Sequence, residues 1–320
     1  MARNKVQFQK GLSEAEFERL FGTEEQCLAQ VIAWRWPKGI ECPQCEDTRY
    51  CVIKPSPSYP RGLYQCYGCK RQTSPIAGTI FASTKLPLRA WFRAMYHMTQ
   101  TKQGISSLEL SRRLGVSYNT AWKIRHKLAQ VMMERDRSKQ LEGRVEMDDA
   151  YLGGQRSGGK RGRGSPGKLP LVAAVETTED GKPARLKIRR IKRFEKTRIK
   201  KIAEQILKRG TTVYTDGLGC FRGLADAGCE HVAIKTGSGQ KAARHPAFKW
   251  VNTTLGNIKS SIIGTFRAVS KKHAPRLLAE FEYRFNRRYD LTTIISRLGW
   301  VAMRAPPMPY RLLKLAEDST

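Results

Sequence analysis

The chain has 320 residues, long enough for two or three domains, one with a sizeable core. Its 59 Lys and Arg against 28 Asp and Glu give a formal charge of +31, which argues for a polyanionic partner, with nucleic acid ahead of an anionic membrane surface. It has no run of about 18 apolar residues and no signal-peptide pattern, so a soluble, intracellular chain without membrane contact is expected, and eight cysteines are too few for a disulfide framework at this length.

Residues 1–37 read as a helical segment. Ser13 to Glu16 and Thr23 to Gln26 each fit a capping box, in which side chains satisfy the orphan amides of a helix start. Residues 38–77 carry Cys42-Pro43-Gln44-Cys45 and Cys66-Tyr67-Gly68-Cys69, flanking a stretch that reads as a β-hairpin. Two thiolate pairs of this spacing close a tetrahedral zinc site, which predicts a zinc ribbon with structural Zn2+ on Cys42, Cys45, Cys66 and Cys69. Cys27, Cys51, Cys220 and Cys229 lack such partners and read as small hydrophobes.

Residues 78–138 read as helical. Leu88, Trp91, Phe92, Met95 and Met98 recur at helical spacing as core. Residues 104–122 then have the form of a helix-turn-helix, with a first helix from Ser106 to a stop at Gly115 and a second capped by Ser117. Ala121, Ile124, Leu128 and Val131 point one way, leaving Asn119, Lys123, Arg125 and Lys127 to face a DNA groove or phosphates. A plain helical hairpin with solvated charges is the competing reading.

The composition changes near residue 139, and 139–303 reads as one α/β domain. Val145, Met147 and Asp149 alternate with Glu146 and Asp148, as strand residues do. Residues 153–168, with Arg156, Lys160, Arg161 and Arg163, read as a basic loop along a phosphate backbone. Two strands follow, the second carrying Arg185, Lys187, Arg189 and Arg190, which would hold backbone as well. A helix over 197–209 leads to a strand that ends at Asp216-Gly217. Helices are expected over 250–268 and 274–288, and the Pro-rich tail, 304–320, ends in residues that look dispensable. Strand, strand, strand, helix, strand is the order of an RNase H-like domain, although other α/β folds share it.

Phosphodiester cleavage is promoted by divalent cations held on hard oxygen ligands. Asp148 on one strand and Asp216 at the end of another would converge, with a third oxygen ligand from the covering helix. Alternation sets Asp149 on the face of Val145 and Met147, which favours Asp148 over it. No histidine has ligand spacing.

Taken together, the two cysteine pairs, Ala77-Gly78-Thr79-Ile80-Phe81, Val145 to Gly154, Val213 to Gly217, Trp250-Val251-Asn252-Thr253 with Lys259, and Glu280-Phe281 with Arg284 to Arg288 resemble the zinc-ribbon branch of bacterial insertion-sequence transposases, relatives of the DDE enzymes, over nearly the whole chain. The resemblance implies an RNase H-like catalytic domain preceded by a zinc ribbon and a helix-turn-helix region. It implies Asp148 and Asp216 as ligands of catalytic Mg2+ or Mn2+. Where the wider family has Glu followed seven positions later by a basic residue, this chain offers Asn252 and Lys259, with Asn257 as runner-up for the third position. The implied activity is binding of terminal inverted repeats, strand cleavage and strand transfer by at least a dimer on DNA, in a cytoplasmic, nucleoid-associated protein. A non-catalytic DNA-binding derivative and a nuclease that never joins strands are the alternatives.

Overall fold

The computed structural model describes residues 10–153, 168–235, 245–267 and 269–315. In chain order the helices are α1 (Glu14–Phe21), α2 (Glu24–Arg35), α3 (Leu88–Gln100), α4 (Ser107–Leu114), α5 (Tyr118–Arg137), α6 (Lys196–Ile206) and α7 (Gly223–Asp226). They continue with α8 (Lys249–Ser261), α9 (Ala274–Phe285), α10 (Ile294–Ala302) and α11 (Tyr310–Leu313). The strands are β1 (Tyr50–Ile53), β2 (Leu63–Cys66), β3 (Gln72–Thr73), β4 (Arg144–Leu152), β5 (Leu169–Thr177), β6 (Pro183–Arg190), β7 (Thr212–Thr215) and β8 (Glu230–Ala233). The chain divides into two compact units. One comprises Met1–Lys102, Ser107–Val131 and Tyr289–Lys314; the other comprises Gln103–Ser106, Met132–Arg288 and the C-terminal residues from Leu315.

In the first unit both capping boxes form, Ser13 with Glu16 and Thr23 with Gln26. Glu24 has a second task. Its two carboxylate oxygens accept the amides of Leu88 at 2.8 Å and Arg89 at 3.0 Å, capping α3 from another helix. Phe17, Phe21, Trp34 and Phe92 form the aromatic core between α1, α2 and α3. Helix α10, which the sequence placed with the catalytic domain, packs here against α2 and α3. Its Gly299 allows the approach, since a Cβ there would sit 2.1 Å from the Trp34 ring.

The ribbon is the antiparallel sheet β1-β2-β3. Its two cysteine turns are built alike. The Cys42 amide donates to the Asp47 carbonyl and the Glu46 amide to the Cys42 carbonyl; the Cys66 amide donates to Arg71 and the Lys70 amide to Cys66, all between 3.0 and 3.1 Å. Glu46 and Lys70 each adopt φ 60°, the left-handed conformation that folds both turns over the same spot.

The two helices expected of the helix-turn-helix form, α4 and α5. Gly115, at φ 64°, ends α4, and the Val116 amide reaches back to the Ser111 carbonyl at 3.1 Å. Ser117 then caps α5, its Oγ accepting the Thr120 amide. Two of the four residues assigned to the outer face are turned inward. Arg125 is only 6% exposed, because it lies four residues after Ala121 and three before Leu128, both core. Lys127 is half-buried and donates to the Ile80 carbonyl, and burial lowers the pKa of its ammonium. Asn119 and Lys123 are exposed.

The second unit is built on a five-stranded sheet in the order β6-β5-β4-β7-β8. Strands β4, β5 and β6 run antiparallel, while β7 pairs parallel with β4 and β8 parallel with β7. This is the RNase H-like sheet. On one face Val145, Met147, Val172 and Val213 pack against Ile199, Ile202 and Ile206 of α6. On the other, Ala150, Leu171, Ala173 and Ile188 pack with Val251, Leu255 and Ile258 of α8 and Leu278 of α9.

Strand β6 is one edge of the sheet, and side chains from the end of α9 close it. Asn286 forms a strand-like pair with Leu186, accepting its amide at 2.7 Å and donating to its carbonyl at 3.1 Å. Glu282 accepts the Ile188 amide, and Arg288 donates to the Ala184 and Pro183 carbonyls. Three of the four basic residues of β6, Arg185, Lys187 and Arg189, are therefore engaged within the fold and do not form a phosphate-binding row. Lys187 is 1% exposed and pairs with Glu282, Arg189 also pairs with Glu282, and Arg185 pairs with Glu176 and Glu142. Lys187 further donates to the Asp136 carbonyl, and the Asp136 carboxylate takes both Nη of Arg287 at 2.7 Å.

Candidate metal centre

Strand β4 brings the chemistry to one place by alternation. Val145 and Met147 belong to the α6 face, whereas Ala150 and Leu152 belong to the α8 face, so Glu146 and Asp148 also project toward α8. The β4–β7 pairing ends at Glu146 opposite Tyr214, which puts Asp148 and Asp216 each two residues beyond the last paired position. Asp216 is fixed there by a turn. Its Oδ1 accepts the Leu218 amide at 3.0 Å, Gly217 takes φ 82°, and the Gly217 amide rests on Thr215 Oγ1. Beneath it Thr215 Oγ1 and His231 Nε2 lie 2.8 Å apart.

Asp148, Asp149 and Asp216 each bring a carboxylate oxygen within 4.8 Å of the others, and all three are half-buried. Asp149, set aside on alternation, joins the cluster, which lies just past the last β4–β7 pair while β4 itself continues, paired with β5, to Leu152. The Asp149 amide donates to Asp148 Oδ1 at 2.8 Å, which orients the Asp148 carboxylate. Hard oxygen donors with no sulfur or imidazole among them fit Mg2+ or Mn2+.

The residue that sequence reasoning missed is Glu146. It is 1% exposed, and its Oε2 accepts the amides of Trp250 at 2.8 Å and Val251 at 3.0 Å, the first turn of α8. Such amides have no partner within their own helix and carry the positive end of its dipole. Asn252 follows Val251 directly, so a side chain two residues before Asp148 ties down the helix that carries Asn252. Burial raises the Glu146 pKa, against the pull of those two amides and of Arg144, whose Nη1 lies 3.8 Å away and whose guanidinium stacks on Tyr214. The capping-box rule searches three residues ahead, and this cap spans more than a hundred.

Asn252 is half-buried and Lys259, two turns later, is exposed; both lie off the face of α8 formed by Val251, Thr254, Leu255 and Ile258. Asn257 is exposed between them. Arg156, Lys160, Arg161 and Arg163 lie outside the described residues.

In the ribbon, Sγ of Cys42 and Cys69 are 3.5 Å apart, as are those of Cys45 and Cys66, and all four fall within 4.8 Å of one another. Tetrahedral zinc with Zn–S of about 2.3 Å implies sulfur separations of about 3.8 Å, so this cage fits zinc. The amides of Cys45 and Gln44 hold the Cys42 thiol down at about 6, toward the thiolate a metal requires.

Compared with known proteins, residues 140–286 match the ISXO2-like transposase domain and residues 22–72 match the transposase zinc-ribbon domain. The chain is also 27% identical, over 221 residues (63% of this chain and 70% of the relative), to an uncharacterised protein in the transposable element ISH50 of Halobacterium salinarum.

Proposed function

The chain belongs to the zinc-ribbon insertion-sequence transposases, and from that premise we propose that it binds the terminal inverted repeats of its element, cleaves there to expose 3′-hydroxyls and joins those ends to target DNA. The observation that carries this reading is the convergence of Asp148 and Asp149 of β4 with Asp216, which directly follows β7, just past the last β4–β7 pair.

Asp148 and Asp216 would hold the divalent cation, with Asp149 beside them and Asn252 able to offer a neutral amide oxygen. When bound, the cation supplies Lewis-acid stabilisation of the charge that develops at phosphorus and on the leaving oxygen. In the first reaction water attacks the scissile phosphorus, the bond to the 3′-oxygen breaks, and that oxygen leaves as a hydroxyl. In the second, the new 3′-hydroxyl attacks a target phosphodiester, one P–O bond replaces another, and no external energy source is required. Lys259, exposed on α8, pairs with a phosphate oxygen near the reacting bond. Glu146 is a positioning residue, holding α8 to the strand that carries Asp148.

The zinc ribbon, folded on Zn2+, and the exposed Asn119 and Lys123 of the helix-turn-helix engage the terminal repeats. Arg156, Lys160, Arg161 and Arg163 follow the phosphate backbone. The active species is at least a dimer on nucleoid DNA, and no helix among the described residues is long and apolar enough to cross a membrane.

Purified protein, Mg2+ and a labelled duplex carrying the element end test the proposal. Free 3′-hydroxyls and joined products are expected, with both abolished by Asp148→Ala or Asp216→Ala while binding is kept. Binding without any cleavage would assign the chain to the non-catalytic derivatives, for which the neutral Asn252 speaks. Cleavage without joining would make it a nuclease.

A further inference from the structure

In the first unit the C-terminal tail folds onto the helix-turn-helix. Leu313 of α11 is fully buried, and this anchors a segment whose other side chains face out: Tyr310 is 45% exposed, and Arg311 and Lys314 are exposed as well. The Tyr310 ring is the point of attachment to α5. The Trp122 ring meets it edge-on at 6.0 Å, the Lys123 ammonium lies 4.9 Å from its centroid, and the Lys314 ammonium lies 4.5 Å from it. One aromatic ring thus gathers a cation from the second helix of the motif and a cation from the tail.

Such a grouping of like charges is unfavourable unless something anionic completes it. The sequence has no Asp or Glu from 110 to 133 and none from 291 to 316. Among the described residues no carboxylate pairs with Lys123, Arg311 or Lys314, whereas Arg185, Lys187 and Arg189 of β6 are paired inside their own unit. Lys123 belongs to the row with Asn119 at the exposed start of α5, so the tail extends that row beyond the helix-turn-helix.

We infer that Arg311 and Lys314, held by Tyr310 against α5, form a second phosphate-contacting arm of the DNA-binding surface, gripping the duplex backbone irrespective of sequence. The arm deepens the DNA-binding part of the proposed function and rests on it. Its chemistry requires closely spaced phosphates, and the duplex that Lys123 already addresses supplies them.

Full-length protein is titrated with a duplex of arbitrary sequence, without divalent metal, over a series of salt concentrations. The arm predicts that Arg311→Ala/Lys314→Ala lowers the slope of log affinity against log salt by about 2, since each phosphate the protein neutralises adds about 0.9 to that slope, and weakens binding at least tenfold at moderate salt. Tyr310→Ala weakens binding several-fold while Tyr310→Phe, which keeps the ring, binds as the parent does. Leu313 is retained throughout, and circular dichroism with zinc content verifies folding. A double variant with the parent's slope and affinity overturns the arm, as does one that loses binding to phosphatidylglycerol vesicles but not to the duplex. If the parent binds duplex and the variants match it, the arm alone fails; if the parent binds no duplex, the DNA-binding reading fails with it.

Discussion

At the scale of single residues, position within an element decides what a charged side chain does. Glu146 and Asp148 are two carboxylates on one face of one strand, separated by about 7 Å of chain. One is sealed under a helix start, and the other lies past the end of the neighbouring strand β7, where it is left half-buried beside Asp216. Glu146→Ala leaves two helix amides without a partner, a loss of about 1–3 kcal/mol, and is expected to raise the Mg2+ or Mn2+ concentration needed for half-maximal cleavage and for half-saturation in a direct metal titration. Glu146→Gln keeps an accepting oxygen and should restore both; equal metal titrations for the Ala variant and the parent would remove the positioning role. The pH dependence has a definite sign. Because the folded-state pKa of Glu146 is raised, the folded protein binds the extra proton, and stability falls as pH climbs from the ordinary carboxylate value through the folded one. Glu146→Gln lacks this step, so its melting temperature relative to the parent is expected to rise over the same interval. Arg125 illustrates the converse lesson. Its charge suggests a surface role, but its spacing from Ala121 and Leu128 puts it in the core.

At the scale of elements, the most consequential contacts join segments far apart in the chain. Asp136 lies at the end of α5 and meets Arg287, 151 residues on, in a bidentate pair that holds the Asp136 carboxyl below the usual carboxylate range against the cost of its burial. Asp136→Ala leaves the Arg287 guanidinium buried without its carboxylate and should destabilise the protein by about 3–5 kcal/mol, measured by denaturant unfolding; a change under about 1 kcal/mol would show that the pair is dispensable. Arg287→Lys is expected to recover little of that pair, since an ammonium cannot span both oxygens. These contacts mark the boundary of what is legible in the sequence. The capping boxes, the cysteine turns and the alternation in β4 are local patterns, and each forms where expected. The assignment of Lys187 and Arg189 to DNA fails because their partner Glu282 is more than ninety residues away, and the Glu146 cap escapes sequence reasoning for the same reason. Alternation sets Asp149 aside, but although it stays paired with Val172 of β5, the β4–β7 pairing stops at Glu146, and beyond it carboxylates from both sides of β4 come within reach of Asp216.

At the scale of the whole molecule, charge and metal set the conditions for function. The two cysteine turns each contribute half of the zinc cage, so neither closes the site alone, and the short sheet β1-β2-β3 has little core of its own. Chelation of zinc, or Cys42→Ser with Cys66→Ser, is expected to unfold residues 42–73 and reduce repeat binding, with the second unit's sheet left intact; hydrogen exchange resolved by segment would report both. Exchange in the ribbon unchanged after complete zinc removal would contradict this. Glu46→Gly and Lys70→Gly relieve left-handed backbone at a non-glycine residue and should be neutral or mildly stabilising, in contrast to the usual cost of introducing glycine.

The closed edge at β6 has a consequence for assembly. Asn286, Glu282 and Arg288 occupy the donors and acceptors that an incoming strand would use, so the sheet cannot be lengthened from that side. The opposite edge of the five-stranded sheet is β8, whose one strand neighbour is β7. Exposed strand edges invite runaway polymerisation, and a sheet closed at β6 would grow in one direction at most however many copies a DNA molecule gathered. Any contact another chain made at β6 would have to run through side chains and not through backbone pairing.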